Sequence, residues 1–252
     1  MDHAADPSHP RYRSLLMRHR LELAAKKGML ADSALIAHGR GEAYDYLLGE
    51  TTIPSADFAT KVALSALASA KHPVLSVNGN VVALAGDEML LLAHKLNCPL
   101  EVNIFYRTPE RMKALLSDLD ERKVRLGIEV EILGANPDAT IPGLKGPRAK
   151  CETKGILNAD ALLVPLEDGD RCEALVAMGK KVIVIDLNPL SRSSQRGTIT
   201  IVDELTRCLE NMLTMDVEDS ISIDSYNHQH SLQDALDAIV EGMKNRFIRR
   251  ID

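Results

Sequence analysis

The stretch that decides the fold is residues 161–185, which read ALLVPLEDGDRCEALVAMGKKVIVI. It begins with an apolar run, Ala161 to Pro165, continues through a segment of helical length, Asp170 to Lys180, and ends in a second apolar run, Val182 to Ile185. Two short apolar runs separated by a helix are typical of a β-α-β unit, whose strands are parallel. The stretch therefore predicts a parallel sheet covered by helices.

The same alternation of short apolar runs and helical segments continues on both sides of this unit. We interpret as strands the runs at residues 34–37, 74–77, 100–105, 130–133, 161–165, 182–185 and 199–202. Segments of helical length lie at 55–71, 81–96, 109–126 and 170–180, with further helical patterns at 11–27 and 231–247. Repeated β-α units favour helices on both faces of a sheet. We therefore predict an α/β, Rossmann-like fold, with a mostly parallel sheet flanked by helices, an N-terminal helix and a C-terminal helix.

One domain accounts for the whole length of the chain. The 252 residues correspond to fewer than two domains of average size, and the sequence contains no Gly/Ser linker and no internal repeat. We predict a single α/β domain, residues 1–252, made of an N-terminal helical extension (1–30), a Rossmann-like core (31–205) and a C-terminal helical region (206–252). The last helix is expected to pack across the sheet or at a subunit interface.

Composition and charge exclude several classes of partner. The net charge is −6 and only 3% of the residues are aromatic, with no Trp, which argues against a nucleic-acid partner and against a polybasic membrane-binding surface. The charge is uneven, because residues 9–40 hold seven Lys and Arg but only two acidic residues. This cationic segment is a candidate site for a small anion.

The sequence also suggests a compartment. Residues 1–12 lack the apolar stretch of a signal peptide, and no run reaches the roughly 18 apolar residues that a membrane span requires. The four cysteines, Cys98, Cys151, Cys172 and Cys208, are far apart and form no metal-binding or redox pair, so we expect reduced, mostly buried thiols. We therefore expect a cytoplasmic protein with no membrane partner.

Polar turns follow three of the predicted strands. Ligands of open parallel sheets bind beyond the carboxyl ends of the strands, so His38 to Gly41, Asn78 to Asn80 and Asp186 to Ser193 are candidate nucleotide-binding turns. Each turn also has a purely structural interpretation, as a tight turn, a helix cap or a solvated loop. The first turn has the sequence His-Gly-Arg-Gly and lacks the third glycine of the dinucleotide-binding motif. The residues by themselves indicate a nucleotide-binding α/β protein.

Several longer motifs resemble one family. They are the segments 8–12 (SHPRY), 35–43 (LIAHGRGEA), 76–80 (SVNGN), 105–108 (FYRT), 141–144 (IPGL), 164–171 (VPLEDGDR) and 186–193 (DLNPLSRS). Together they resemble the archaeal phosphopantothenate synthetase family over residues 8–204. The resemblance implies ATP-dependent ligation of 4-phosphopantoate and β-alanine to 4′-phosphopantothenate, in the archaeal route to coenzyme A. AMP and pyrophosphate would be released through a phosphopantoyl adenylate, and the protein would be a homodimer.

The resemblance also implies the residues that bind ATP. The ATP contacts of the family fall on Arg18, Arg40, Asp186, Leu187, Asn188, Arg192, Ser193, Glu204 and Leu205. ATP is the expected co-substrate, with Mg²⁺ neutralising its phosphates. The sequence does not identify ligands for the metal.

Other residues are candidates for binding the acid and for catalysis. We expect Asn78, Gly79 and Asn80 to bind 4-phosphopantoate, with Arg148 or Lys150 closing over its phosphate. The candidate catalytic residues are Arg40, His38 and Lys150. Either His38 or Glu42 would accept the proton of the β-alanine amine.

Two other classes of function stay open. A nicotinamide-dependent oxidoreductase fits the Rossmann-like pattern, although the third glycine and a ribose-binding acid are missing. A non-catalytic nucleotide-binding regulator would bind ATP without releasing pyrophosphate.

Overall fold

A computed structural model describes residues 6–217 and 221–248 of the chain. Within these residues lies a six-stranded sheet in which all neighbouring strands are parallel. Its strands are β1 (Pro73–Val77), β2 (Leu100–Val102), β3 (Ile132–Leu133), β6 (Ala161–Pro165), β7 (Lys181–Ile185) and β8 (Ile199–Ile201), and a separate antiparallel pair consists of β4 (Ala139–Thr140) and β5 (Lys150–Cys151). The outermost parts of the predicted domain, residues 1–5 and 249–252, lie outside the described residues.

The order of the strands creates a crevice in the middle of the sheet. The order is β3-β2-β1-β6-β7-β8, so the chain winds outward from β1 to β3 and then returns to pair β6 with β1. This is the doubly wound order of nucleotide-binding folds, in which the loops after the two central strands diverge and leave room for a ligand. The predicted parallel α/β fold is confirmed, and its ligand crevice is expected between the carboxyl ends of β1 and β6.

Helices cover both faces of the sheet. They are α1 (Tyr12–Lys26), α2 (Ala34–Leu48), α3 (Pro54–Ala68), α4 (Gly79–Lys95), α5 (Pro109–Leu126), α6 (Gly169–Ala177), α7 (Arg192–Arg196), α8 (Leu205–Thr214) and α9 (His228–Ile248). The predicted helix 109–126 is confirmed at both ends, because Thr108 caps its first turn and Gly127, with a φ of 66°, ends it. Asn78 caps α4 in the same way, by accepting a hydrogen bond from the Val81 N–H at 3.1 Å.

One predicted strand is wrong. Residues 34–37 form the start of α2 rather than a strand, so Gly39 and Gly41 lie inside a helix and not in a strand-to-helix turn. Neither glycine adopts a positive φ. The run Ala-Leu-Ile-Ala consists mostly of good helix formers, and a run of four residues is too short for periodicity to separate a strand from a helix. The first strand of the sheet is therefore β1.

The core consists of two layers, one on each face of the sheet. Leu163 and Ile183 face the larger layer, which includes α3, α4 and α8, whereas their neighbours Leu162 and Val182 face the smaller layer beside α6. Strands buried on both faces explain the continuous apolar runs in the sequence. The four cysteines are free and buried, as predicted.

The C-terminal helix packs against α2, α3 and β8 and thus closes one end of the sheet. Residues 218–220, in the segment between α8 and α9, are not part of the described structure. Among the described helices, none is both long enough and apolar enough to cross a membrane.

Candidate active site

A cavity of about 450 Å³ opens at the crevice between β1 and β6. Asn78 follows β1 and joins the two strand ends, because its amide donates hydrogen bonds to the carbonyl oxygens of Leu166, at 2.9 Å, and Pro165, at 3.3 Å. Gly79, the next residue, has no room for a side chain: an added Cβ would lie 2.8 Å from the Met29 carbonyl oxygen. The turn after β1 is therefore held close to the segment that joins α1 and α2.

Distant parts of the chain meet around this cavity. The wall includes residues of α1 and α2, the turn after β1, the loop after β2, the end of β6 and the start of α8. Polar residues that line it include Ser14, His38, Glu42, Asp45, Asn78, Asn80, Arg111, Arg148, Asp168, Asp203, Glu204 and Arg207. A cavity of this size that combines apolar walls with a few convergent polar groups is typical of a small-molecule site.

Glu42 of α2 is the centre of a cluster between α1 and α2. Its carboxylate accepts hydrogen bonds from Arg18 at 2.8 Å, from Tyr46 at 3.1 Å and from Ser14. Burial opposes ionisation, but these donors outweigh it and hold the pKa of Glu42 below its ordinary value. Glu42 is therefore an ionised hydrogen-bond acceptor at neutral pH and a weak base.

His38 lies one turn earlier on the same helix and has a different environment. Its Nε2 atom is buried and has no hydrogen-bond partner among the described residues. Burial lowers the pKa of His38, an effect that the negative charges of Glu42 and Glu204 offset only in part. At neutral pH the ring is uncharged, and His38 lines the cavity while its unpaired Nε2 is buried.

Two ion-pair networks fix other parts of the wall. Buried Arg148 pairs with Glu167 at 2.7 Å and with Asp168 at 2.8 Å, at the carboxyl end of β6. Arg207 of α8 pairs with Asp45 of α2 at 2.7 Å and also contacts Asp203. Both arginines thus have carboxylate partners inside the protein, which offset most of their charge.

A family model described as phosphopantothenate/pantothenate synthetase matches residues 55–242. The chain belongs to this synthetase family. It is 51% identical over 208 residues to a 4-phosphopantoate--beta-alanine ligase of Thermococcus kodakarensis, which is 82% of this chain and 78% of that protein. Two relatives with the same name align over still more of the chain. The ligase of Thermococcus onnurineus is 48% identical, over 91% of this chain and 89% of that protein. The ligase of Methanosarcina mazei is 46% identical, over 94% of each.

About half of the residues predicted for the synthetase site line the cavity. They are His38, Asn78, Gly79, Asn80, Arg148, Leu187, Glu204 and Leu205. Arg18 forms an ion pair with Glu42, which lines the cavity. Arg40 of α2 is exposed, and its charge acts on the carboxyl of Asp186. A Cβ at Gly41 would contact Leu187 at 3.7 Å, so α2 packs beside the segment after β7.

The remaining predicted residues lie outside the cavity wall. Asn188 donates its backbone N–H to Asp186 within the loop after β7, and the Ser193 hydroxyl donates to the Glu167 carbonyl oxygen at 2.5 Å. Arg192 is exposed and pairs with Glu173 of α6 at 2.7 Å. Lys150 lines a separate, more open groove of about 1050 Å³. The ligand contacts of these residues stay predictions.

Some residues of the site were missed by the sequence analysis. Asp45 carries no local signal, because its partner Arg207 lies 162 residues away. Asp203 and Arg207 lie four residues apart, directly after β8, so the position of their strand end could have indicated them. Arg111 could have been found, since it follows the carboxyl end of β2 and the rule applied to the other strands covers it as well. Within the described residues, no group of three or more His, Cys, Asp or Glu side chains could hold a metal ion.

Proposed function

We propose that this synthetase uses ATP to join 4-phosphopantoate to β-alanine, forming 4′-phosphopantothenate, AMP and pyrophosphate. The observation that carries this proposal is the high identity to 4-phosphopantoate--beta-alanine ligases over most of the chain. The cavity between β1 and β6 supports it, because the doubly wound fold binds nucleotides at this point.

The reaction is proposed to take place in two steps. A carboxylate oxygen of 4-phosphopantoate attacks the α-phosphorus of ATP, and the bond to pyrophosphate breaks to leave an acyl adenylate. The neutral amine of β-alanine then attacks the acyl carbon, AMP leaves with the original carboxylate oxygen, and a base takes the proton released by the amine. Both steps require two anions to be held together, so positive charge and hydrogen-bond donors are needed around them.

The ATP side of the site is proposed to lie along α2 and the segments after β7 and β8. Arg18, Arg40 and Arg192 would neutralise the phosphates, while Asp186 and Asn188 would bind the nucleoside. The proximity of α2 to the segment after β7 supports this assignment. Mg²⁺ is proposed to arrive with ATP and to be held mainly by phosphate oxygens and water, as is common for this ion, since the described residues offer no ready-made cage.

The acid side of the site is proposed to lie at the start of α4. The first N–H groups of a helix have no intrahelical acceptor and favour an anion. Of the groups at this helix start, the Val81 N–H is satisfied by Asn78, while Gly79 and Asn80 border the cavity. Lys150 is kept as a candidate that closes over the substrate.

His38 is proposed as the proton acceptor in preference to Glu42. The sequence left both open. Glu42 accepts hydrogen bonds from three side chains, which lower its basicity. His38 is neutral, lines the cavity and has a buried Nε2 without a hydrogen-bond partner among the described residues.

We further propose that the protein is a cytoplasmic homodimer. Exposed apolar side chains on two adjoining helices, Ile36 and Leu47 of α2 and Val240 and Met243 of α9, support a protein contact on this side. Sedimentation velocity should give twice the 27.6 kDa mass of one chain. A species of single-chain mass at micromolar concentration would refute the dimer.

The deciding experiment measures AMP formation by the purified protein. We expect AMP and pyrophosphate only when ATP, 4-phosphopantoate and β-alanine are all present. An oxidoreductase would instead bind a nicotinamide cofactor in a fluorescence titration, and a regulator would bind ATP without turnover.

The adenylate is tested separately with ¹⁸O in the carboxylate of 4-phosphopantoate. The label should appear in AMP, because one carboxylate oxygen leaves with the adenylyl group. Formation of ADP and labelled phosphate would overturn the adenylate and indicate an acyl phosphate.

A further inference from the structure

We propose that Arg111 binds the phosphate group of the acid substrate and thereby makes the site selective for 4-phosphopantoate over unphosphorylated pantoate. This inference rests on the proposed function and adds a specificity-determining residue to it. Arg111 belongs to the first turn of α5, the helix that follows the carboxyl end of β2.

Among the described residues, the guanidinium of Arg111 is held in place by neutral groups alone. It donates hydrogen bonds to the carbonyl oxygens of Tyr106, at 2.6 Å, and Met29, at 3.2 Å. Its Nε–H is buried and has no acceptor among the described residues. No carboxylate in the described part of the chain lies within 4.0 Å of it to form an ion pair. The side chain is therefore fixed in position, and its charge and part of its hydrogen-bond donors are available for a ligand.

The other arginines that line the cavity differ from Arg111 in this respect. Arg13 pairs with Glu210 at 3.0 Å, Arg148 with Glu167 and Asp168, and Arg207 with Asp45 and Asp203. Burial lowers the pKa of Arg111, and the group nevertheless stays charged because an arginine does not lose its proton in a protein. A half-buried cation without a counter-ion among the described residues is stabilised by an anion from the ligand.

The position of Arg111 indicates which anion it meets. An added Cβ on Gly79 would lie 3.4 Å from an Nη atom of Arg111, so the guanidinium is beside the first turn of α4. Arginine and the start of α4 together form a positive corner of the cavity. The carboxylates that also line the cavity would repel a phosphate dianion, and none of those described forms an ion pair with Arg111. They include Glu42, Asp45, Asp168 and Glu204. The phosphate of the acid substrate therefore belongs in the corner of Arg111.

The test compares two ligands that differ only in the phosphate. Binding of 4-phosphopantoate to the full-length protein without ATP is measured by isothermal titration calorimetry, and binding of pantoate by competition. We expect Arg111→Gln to lower the affinity for 4-phosphopantoate about 10- to 100-fold, because a charge-assisted contact is lost. The affinity for pantoate should fall less than about 3-fold. Arg125→Gln, an exposed position near the end of the same helix, should leave both affinities unchanged.

Two results would overturn the inference. One is an equal loss of affinity for both ligands, which would mean that Arg111 only fixes the loops of Met29 and Tyr106. The other is unchanged binding of 4-phosphopantoate. If Arg111→Gln does not fold by circular dichroism, Arg111→Lys replaces it, and the same selective loss for 4-phosphopantoate is expected because lysine lacks the fork geometry. Failure of the proposed function is distinct: the wild-type protein would neither bind 4-phosphopantoate nor form AMP.

Discussion

His38 and Glu42 occupy successive turns of α2 and face the same cavity, yet their surroundings give them different chemistry. Three donors hold Glu42 in its ionised form, while burial holds His38 in its neutral form. A pair of neighbouring groups whose environments separate their pKa values is a common way to divide roles in an active site. We assign the structural and electrostatic role to Glu42 and proton acceptance to His38.

We predict that His38→Gln lowers the rate of amide formation by about 10²- to 10⁴-fold, the range for loss of a general base. ATP–pyrophosphate exchange dependent on 4-phosphopantoate should persist, since the first step transfers no proton to His38. Because the pKa of His38 is lowered from its ordinary value of 6.5, activity should fall only below pH 6.5, as the ring becomes protonated. The variant should lack this acid limb.

The control for this variant is His72→Gln, an exposed histidine before β1, which should keep full activity. A parallel fall of pyrophosphate exchange and amide formation in His38→Gln would contradict the assignment of His38 to the second step.

At the scale of the element, the position of α2 determines the shape of the cavity. The helix contributes His38, Glu42 and Asp45 to the wall, and it is joined to α8 through Arg207. The side chains of Asp45 and Arg207 are only 12% and 14% exposed, and that of Asp203 is fully buried. The network connects α2 to α8. Because its members are buried, the loss of one of them would leave a buried charge without its partner.

Arg207→Leu is predicted to lower the free energy of unfolding by about 3–5 kcal/mol, because removal of one partner leaves buried carboxylates without a counter-charge. Urea denaturation at pH 7 measures the change. Lys61→Ala, which removes the exposed pair with Asp57 on α3, should cost less than about 0.5 kcal/mol. If the two variants lost the same free energy of unfolding, burial would not explain the strength of the Arg207 network.

Gly39, an exposed residue of α2, and Gly79, which lines the cavity, are predicted to respond in opposite directions to alanine. A Cβ at Gly39 meets nothing within 4 Å in the interior of α2, so Gly39→Ala should raise the free energy of unfolding by about 1 kcal/mol. Gly79→Ala should destabilise the protein, because its Cβ would be too close to the Met29 carbonyl oxygen. Thermal unfolding of both variants measures the change in stability. A Gly39→Ala variant less stable than the wild type would contradict the conclusion that Gly39 lies inside a helix with room for a side chain.

At the scale of the whole molecule, a buried carboxyl joins the sheet to the segment that carries Arg148. Glu101 of β2 accepts hydrogen bonds from the backbone N–H groups of Glu152, at 3.0 Å, and Ile156, at 2.7 Å. Burial raises the pKa of Glu101 to about 7, although these two donors favour the ionised form. The folded protein therefore holds a proton on Glu101 that the unfolded chain loses at lower pH.

This difference in pKa predicts how stability depends on pH. The pKa of Glu101 is raised from 4.5 to about 7 in the folded state. The contribution of Glu101 to the free energy of unfolding is therefore fully present below pH 4.5 and is lost as the pH rises through about 7. Glu101→Gln should remove this part of the slope between pH 4.5 and 7, as measured by urea denaturation at a series of pH values. Glu129→Gln, at an exposed position, should keep the wild-type slope, and an identical slope in Glu101→Gln would contradict the shifted pKa.

Most of the fold could be predicted from the sequence, because its signals are local. The apolar runs at 161–165 and 182–185 and the Thr-Pro start and glycine end of α5 depend on residues a few positions apart. The exception was the start of α2, where a short apolar run followed by His-Gly-Arg-Gly has the same local pattern as a strand and a turn. In the folded protein these residues are helical, and α2 packs against α1, α4 and α9.

The sequence by itself determined the class of fold, the family motifs and the strand ends at which a ligand is expected. Only the tertiary structure decided which charges are neutralised within the protein. Arg207 meets Asp45 across 162 residues and Arg148 meets Glu167 across 19. In the described part of the chain, Arg111 meets only carbonyl oxygens. The physical reason is that burial of apolar surface brings the elements together irrespective of charge, so the pairing of an arginine depends on which distant carboxylate the packing places beside it.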